Sequence, residues 1–476
     1  MISGTQSTIL IVLFSIILVA VVLLISRKSK SADHFLVGNR QFGLFTGAFT
    51  TAAAWLWAPA LFVSSQTAYT KGLPGVFWFI VPNVLALVVF AFYAKKVRGV
   101  MEQGYTLPEY IKHRLGPKNQ IIYYIVMLLY AIYAIMVQLT GSLLLLNFAT
   151  DLPKPLLVAI IAVVFFSVAS FRGIRSTVVA DILKIAVMLF MVIIIAPAVI
   201  ANSGGFTTIA GGIGGAKGTF TDLFDGSVAW TFGVPTAVSL LCGCIIEQQE
   251  WQRAFSIKKD NVKKSFLLGS VIFLVVPVML SVLGFIASNP EVGISVENPQ
   301  LSGIAVVAKY FPQIGVAIFI VMLLFALAAA GSSALCAISS IVTVDIYKQY
   351  FNKSPNEKQT LTTGRIAMLV ILAIGAGVTL IPDISILYLM LLSGAFKAAL
   401  FAPTLLALFW NKTSSKATFW SMIVGLLTGI PLFIYGSIVG NPNISSIGSL
   451  TPIVLGFIIC YLGSINNKKE SSLIKY

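Results

Sequence analysis

From residue 7 to residue 462 the chain returns repeatedly to apolar runs, and a helix of about 20 such residues crosses a hydrocarbon core. Thirteen runs meet or approach that length: 7–25, 44–79, 76–93, 120–147, 156–171, 177–200, 230–246, 266–286, 313–344, 366–381, 386–410, 419–435 and 452–462. Only 10% of the residues are charged and 58% are hydrophobic, whereas soluble domains carry about 25% charge. An all-α integral membrane protein of about 13 transmembrane helices is therefore expected, and no intervening segment is long enough for a separate soluble domain. The loop 201–227, rich in Gly and Thr, reads as flexible or lightly ordered.

The formal charge of +16 would suggest nucleic acid if the basic residues shared one face. Instead about 26 of the 32 Lys and Arg fall in alternate loops, the positive-inside pattern of a membrane protein. They follow span one (Arg27, Lys28, Lys30, Arg40), span three (Lys95, Lys96, Arg98, Lys112, Arg114, Lys118) and span five (Arg172, Arg175). They recur after span seven (Arg253, Lys258, Lys259, Lys263, Lys264), span nine (Lys348, Lys353, Lys358, Arg365), span eleven (Lys412, Lys416) and span thirteen (Lys468, Lys469, Lys475). The other loops hold Asp151, Asp222, Asp225, Glu291, Glu297 and Asp383. That alternation implies an outside N-terminus and a cytoplasmic C-terminus. Cys242, Cys244, Cys336 and Cys460 lie in apolar runs and make no disulfide framework.

Three spans carry polar chemistry. In the second, Ala52–Ala54, Trp55, Trp57, Pro59, Ser64, Ser65 and Gln66 read as a helix interrupted near Pro59. A break leaves backbone groups unpaired, which hydrocarbon tolerates only where they are buried in protein or line a polar cavity; a simple proline kink is the alternative. The sixth span holds Asp181 and Lys184, three apart and able to pair on one face. Intramembrane ionisable residues mark function by default, although Lys184 near the cytosolic end could also snorkel or clamp the helix. The ninth span is small-residue rich from Ala326 to Ala330 and then carries Ser332 and Ser333, suited to close packing or to offering oxygens to a hard cation. Lys397 is the remaining intramembrane cation. His34 and His113 both fall in cytosolic loops, so an enzyme is disfavoured.

SADHFLVGNR (31–40), TLPEYIKHRLG (106–116), GIRSTVVADILK (173–184), EQQEWQRAF (247–255) and SSIVTVDIY (339–347) together resemble the sodium/solute symporter family over about residues 31–416. The resemblance implies a leucine-transporter-like fold. It would have an extra helix in 1–30, inverted five-helix repeats in 31–201 and 202–410, and two helices with a tail in 411–476. Trp55-Leu56-Trp57-Ala58, Ser64-Ser65 and Gly75-Val76-Phe77-Trp78 are most similar to the urea-transporter branch.

By the same resemblance a first sodium site would use carbonyls of Ala52, Trp55 and Ala326, and two hydroxyls at positions occupied here by Ala329 and Ala330. A second would use Asp181, Ser332 and Ser333. Lys184 stands where the family usually has Gln. Losing two of about five oxygens should weaken sodium binding, and Lys184 could act as proton carrier or surrogate cation. The implied function is alternating-access transport of a small polar solute, urea-like, across the plasma membrane, coupled to Na+ or H+. Trp55, Trp57, Gln66 and Asn83 would line the solute cavity. A proton-coupled or uncoupled carrier, and a non-transporting sensor or channel, are the alternatives. The partners expected are the solute, the cation and the bilayer, with no nucleic acid.

Overall fold

A computed structural model describes residues 31–381 and 385–467, with scattered positions between 13 and 24. The first expected span and the far C-terminal lysines lie largely outside the described residues. Within them, 11 helices are long and apolar enough to cross a membrane. The longest, Ala58–Val100, turns at Gly72 and so supplies the end of the second expected span and the whole third. The only bridge outside helices, among the described residues, joins Phe42 to Ile257.

The core is built on small residues at helix crossings. A Cβ on Gly331 would come within 2.1 Å of the Phe165 ring, and one on Gly284 within 2.2 Å of the Ser65 carbonyl. Lipid-facing apolar surface gives no net drive for helices to associate, so close van der Waals packing of this kind must do it. Arg40 binds both Asp33 carboxylate oxygens at 2.7 and 2.8 Å and the Gln103 carbonyl at 2.8 Å. The Tyr105 hydroxyl donates to the same Asp33 at 2.6 Å, tying the segment after span one to the loop after span three.

The loop 201–227 is folded down rather than lightly ordered. Gly72 has φ +56, and the turn there frees the Leu73 N–H, which donates to the carbonyls of Ile213 at 2.9 Å and Phe220 at 3.1 Å. Ala216 donates in turn to the Tyr69 carbonyl at 2.6 Å. Composition alone missed this because the loop's partners are backbone groups released by a helix distortion elsewhere. A Cβ at Gly72 would sit 2.4 Å from the Phe220 oxygen in a backbone conformation that L-residues avoid. Gly72→Ala is expected to cost about 1–3 kcal/mol and to expose the loop. A lower thermal midpoint in detergent with faster proteolysis within 201–227 would be the measured result; unchanged values would show that the loop does not depend on the turn.

Candidate functional site

The second span breaks earlier than its proline suggests. Helix Leu44–Trp55 stops at Leu56, Leu56 and Trp57 are non-helical, and a new helix starts at Ala58. Pro59 therefore lies in the first turn of the second half, where a missing N–H and a preset φ are favourable. The open backbone groups find side-chain partners. Gln138 accepts from the Ala58 N–H at 3.0 Å, Gln249 donates to the Ala54 carbonyl at 3.2 Å, and Lys184 Nζ donates to the Ala53 carbonyl at 2.6 Å.

Asp181 and Lys184 share a helix face but do not bond to each other. Asp181 is engaged by three other groups: Thr50 Oγ1 at 2.6 Å, an Arg253 guanidinium nitrogen at 2.7 Å and Ser333 Oγ at 3.1 Å. Arg253 also donates to Ser333 Oγ at 2.9 Å and to the Gln249 carbonyl at 3.1 Å. Both ions of the pair are 0% exposed. Arg253 thus belongs to the interior, not to the cytosolic basic loops where the alternation count put it. Ser332 donates to the Ala329 carbonyl of its own helix at 2.9 Å, so of the serine pair only Ser333 reaches Asp181. Ala326, Ala329 and Ala330 are buried beside them.

A second break, which the sequence reading did not single out, lies at Glu247, between helices Val234–Ile246 and Gln248–Ser256. Every residue of that second helix is buried, which explains its string of amides. Gln248 donates to the Tyr105 carbonyl and to Ser340 Oγ, and Gln252 to the Leu36 carbonyl. With Gln249 on Ala54, these amides join the second break to the first, to span nine and to the segments that hold Tyr105 and Leu36. The available signal was the density of Gln, Glu and Arg in EQQEWQRAF, too polar for lipid and too long for a tight turn. Tyr130 donates to Glu247 Oε1 at 2.5 Å, whereas Glu250 has no hydrogen bond on either carboxylate oxygen.

The four residues expected to line a cavity separate. Trp55 Nε1 donates to Asn83 Oδ1 at 3.1 Å while Asn83 Nδ2 donates to the Phe79 carbonyl, so these two satisfy one another within the core. Gln66 is half-buried and nine residues beyond Trp57, roughly 13 Å along a helix. Trp57 lies at the break itself, against Tyr133 with ring centroids 6.0 Å apart, and its Nε1 carries no hydrogen bond. Lys397 Nζ sits 4.6 Å from the centroid of Tyr130, 5.4 Å from Tyr133 and 5.6 Å from Trp57. The tryptophans should therefore differ under mutation. Trp55→Phe is expected to lower stability by about 1 kcal/mol through loss of one buried hydrogen bond, with solute affinity kept. Trp57→Phe should leave the thermal midpoint in place and weaken affinity; equal effects of the two on affinity would contradict the distinction.

Residues 35–425 match the model of the Sodium:solute symporter family. The chain belongs to that family. Among curated relatives it is 22% identical to "Urea-proton symporter DUR3" of Oryza sativa subsp. japonica over 91% of this chain and 65% of the relative. It is 20% identical to "Probable urea active transporter 1" of Schizosaccharomyces pombe over 85% of this chain and 65% of the relative. The chain thus spans somewhat under two thirds of the length of these two. With "Osmoregulated proline transporter OpuE" of Bacillus subtilis it shares 22% identity over 84% of this chain and 83% of the relative. Among solved structures, a Na+-coupled sialic acid symporter in a substrate-bound outward-open state aligns with a TM-score of 0.79 at 17% identity. The alignment covers 98% of this chain and 99% of that one. At this identity the likeness establishes the fold, which is the leucine-transporter-like fold expected.

Proposed function

We propose that this member of the family is a secondary transporter that moves a small polar solute, urea-like, by alternating access, driven by protons and indifferent to sodium. The observation that carries the reading is the Lys184 ammonium, 2.6 Å from the Ala53 carbonyl at the first helix break, in a chain with alanines at 329 and 330. By the family pattern a sodium ion would use carbonyls of this break together with hydroxyls at those two positions. The residues present do not fit that ion. Two oxygens are missing, and the Lys184 ammonium, when protonated, stands at one carbonyl of the break; unit charges 4 Å apart repel by about 4 kcal/mol at an effective dielectric of about 20. The Asp181 and Ser333 pair fits sodium no better, because Arg253 already donates to both.

Both breaks open on the same buried region, which suits a carrier whose two inverted repeats, 31–201 and 202–410, rock about a central site. The relatives named as urea transporters support a urea-like solute, and the basic-loop alternation supports a plasma-membrane topology with N-terminus outside and C-terminus in the cytoplasm. A carrier is favoured over an enzyme because the family and the relatives named above are transporters. The test is uptake of labelled urea into proteoliposomes under an inward proton gradient, an inward sodium gradient, or neither. Proton-driven accumulation without sodium is expected. Steep sodium dependence with no response to protons would overturn the coupling, and absence of any saturable flux would favour a sensor.

A further inference from the structure

Around the second break, one buried acid and one buried base face the same aromatic wall without touching. Tyr130 donates its hydroxyl to Glu247 Oε1 while its ring lies 4.6 Å from Lys397 Nζ. No ion pair joins Glu247 to Lys397 among the described residues. Lys397 is 1% exposed, and the one hydrogen bond to its three N–H donors is a long one, 3.4 Å to the Ser239 carbonyl. Glu247 Oε2 and Trp57 Nε1 are buried with no partner. Buried polar atoms nearly always have partners, and each orphan needs an explanation. The free groups form a complementary set about Tyr130 and Tyr133: an acceptor on Glu247, and donors on Lys397 and Trp57.

We propose that Glu247, Lys397 and Trp57 are the selectivity elements for a small uncharged amide, its N–H groups donating to Glu247 and its carbonyl oxygen accepting from Lys397 and Trp57 Nε1. The inference rests on the reading of the chain as a carrier of small polar solutes and names the chemistry of that site. Charge decides against an ion. Glu247 and Lys397 cancel formally, so a charged solute would bury an uncompensated charge. A zwitterionic amino acid keeps the sum at zero, but it requires two more charges to leave water, each at a cost of several kcal/mol. A neutral amide presents the same donor and acceptor pattern without that cost. The aromatic rings hold the ammonium by cation–π attraction while leaving its N–H groups able to turn to a carbonyl.

The experiment uses the full chain in proteoliposomes, reading counterflow of labelled urea, and the purified full chain in detergent, reading saturable urea binding. Acetamide should compete with urea, whereas tetramethylurea, which lacks N–H groups, and proline should not. Trp57→Phe should raise the half-saturation about three- to tenfold, and Glu247→Gln by tenfold or more, as expected for a neutral and a charge-assisted hydrogen bond. Thermal midpoints within a few degrees of the unmodified protein identify the variants that have folded. Lys397→Arg, which keeps the charge, should retain binding better than Lys397→Met. Equal competition by tetramethylurea, or unchanged half-saturation in folded Trp57→Phe and Glu247→Gln, would overturn this assignment even if urea moves. Competition by proline but not acetamide would overturn the amide class. Saturable binding with the expected selectivity but no flux would support the site and sink the transport reading instead. Neither binding nor flux of urea would sink both.

Discussion

Lys184→Ala is expected to abolish accumulation of solute under a proton gradient while leaving solute exchange between the two sides. The ammonium contacts the Ala53 carbonyl at the first break, and it is 0% exposed. A charge so buried stays only while it is paired or hydrogen-bonded. If the break rearranges between the outward and inward states, that contact is made in one state and lost in the other. Proton loss and gain at Lys184 then follow the conformational cycle. Removing the amine removes the coupled proton but leaves the solute contacts proposed for Trp57 and Glu247, so downhill exchange is expected to survive. Lys184→Gln, which restores the usual family residue, should not recover sodium dependence alone. Adding Ala329→Ser and Ala330→Ser supplies the two missing oxygens and should allow sodium to drive uptake in the triple variant. Proton-driven accumulation by Lys184→Ala at the unmodified rate would remove the lysine from the coupling mechanism.

The second large effect is on stability. Asp181→Asn should destabilise the protein by about 3–5 kcal/mol, the usual cost of leaving a buried ion unpaired, because Arg253 would face Ser333 and the Gln249 carbonyl with no carboxylate. Arg253→Gln alone should cost as much, since Asp181 would keep only its hydroxyl donors, Thr50 and Ser333. The double variant Asp181→Asn with Arg253→Gln should recover a large part of the loss, as the two positions act as one unit. Thermal midpoints in detergent for the four proteins measure the coupling. Additive single losses would mean that the pair is not an energetic unit. An accompanying change in apparent sodium affinity would mean that Asp181 still serves an ion.

The membrane class, the helix order and the polar character of spans two, six and nine were legible in the sequence. Each rests on a property that survives projection onto one dimension: apolar length, loop charge and local residue type. The break expected near Pro59 lies at Leu56 and Trp57, two to three residues before it, because proline marks a helix start as readily as a kink and only the backbone distinguishes them. The partnership of Asp181 was misread for a related reason. Spacing along one helix makes Lys184 its obvious mate, but Arg253 arrives from 72 residues away and binds it at 2.7 Å.

Trp55 and Trp57 show the same division. Their pattern marked an unusual helix, yet one pairs with Asn83 in the core and the other faces Lys397, since two residues on either side of a break need not share a direction. The sequence by itself determined that this chain must satisfy its backbone inside a bilayer, as helices broken only where protein surrounds the break. Which charge meets which carbonyl was decided only by the tertiary structure. Buried ions and open backbone groups bond at short range, and the groups within range come from segments that the sequence keeps far apart.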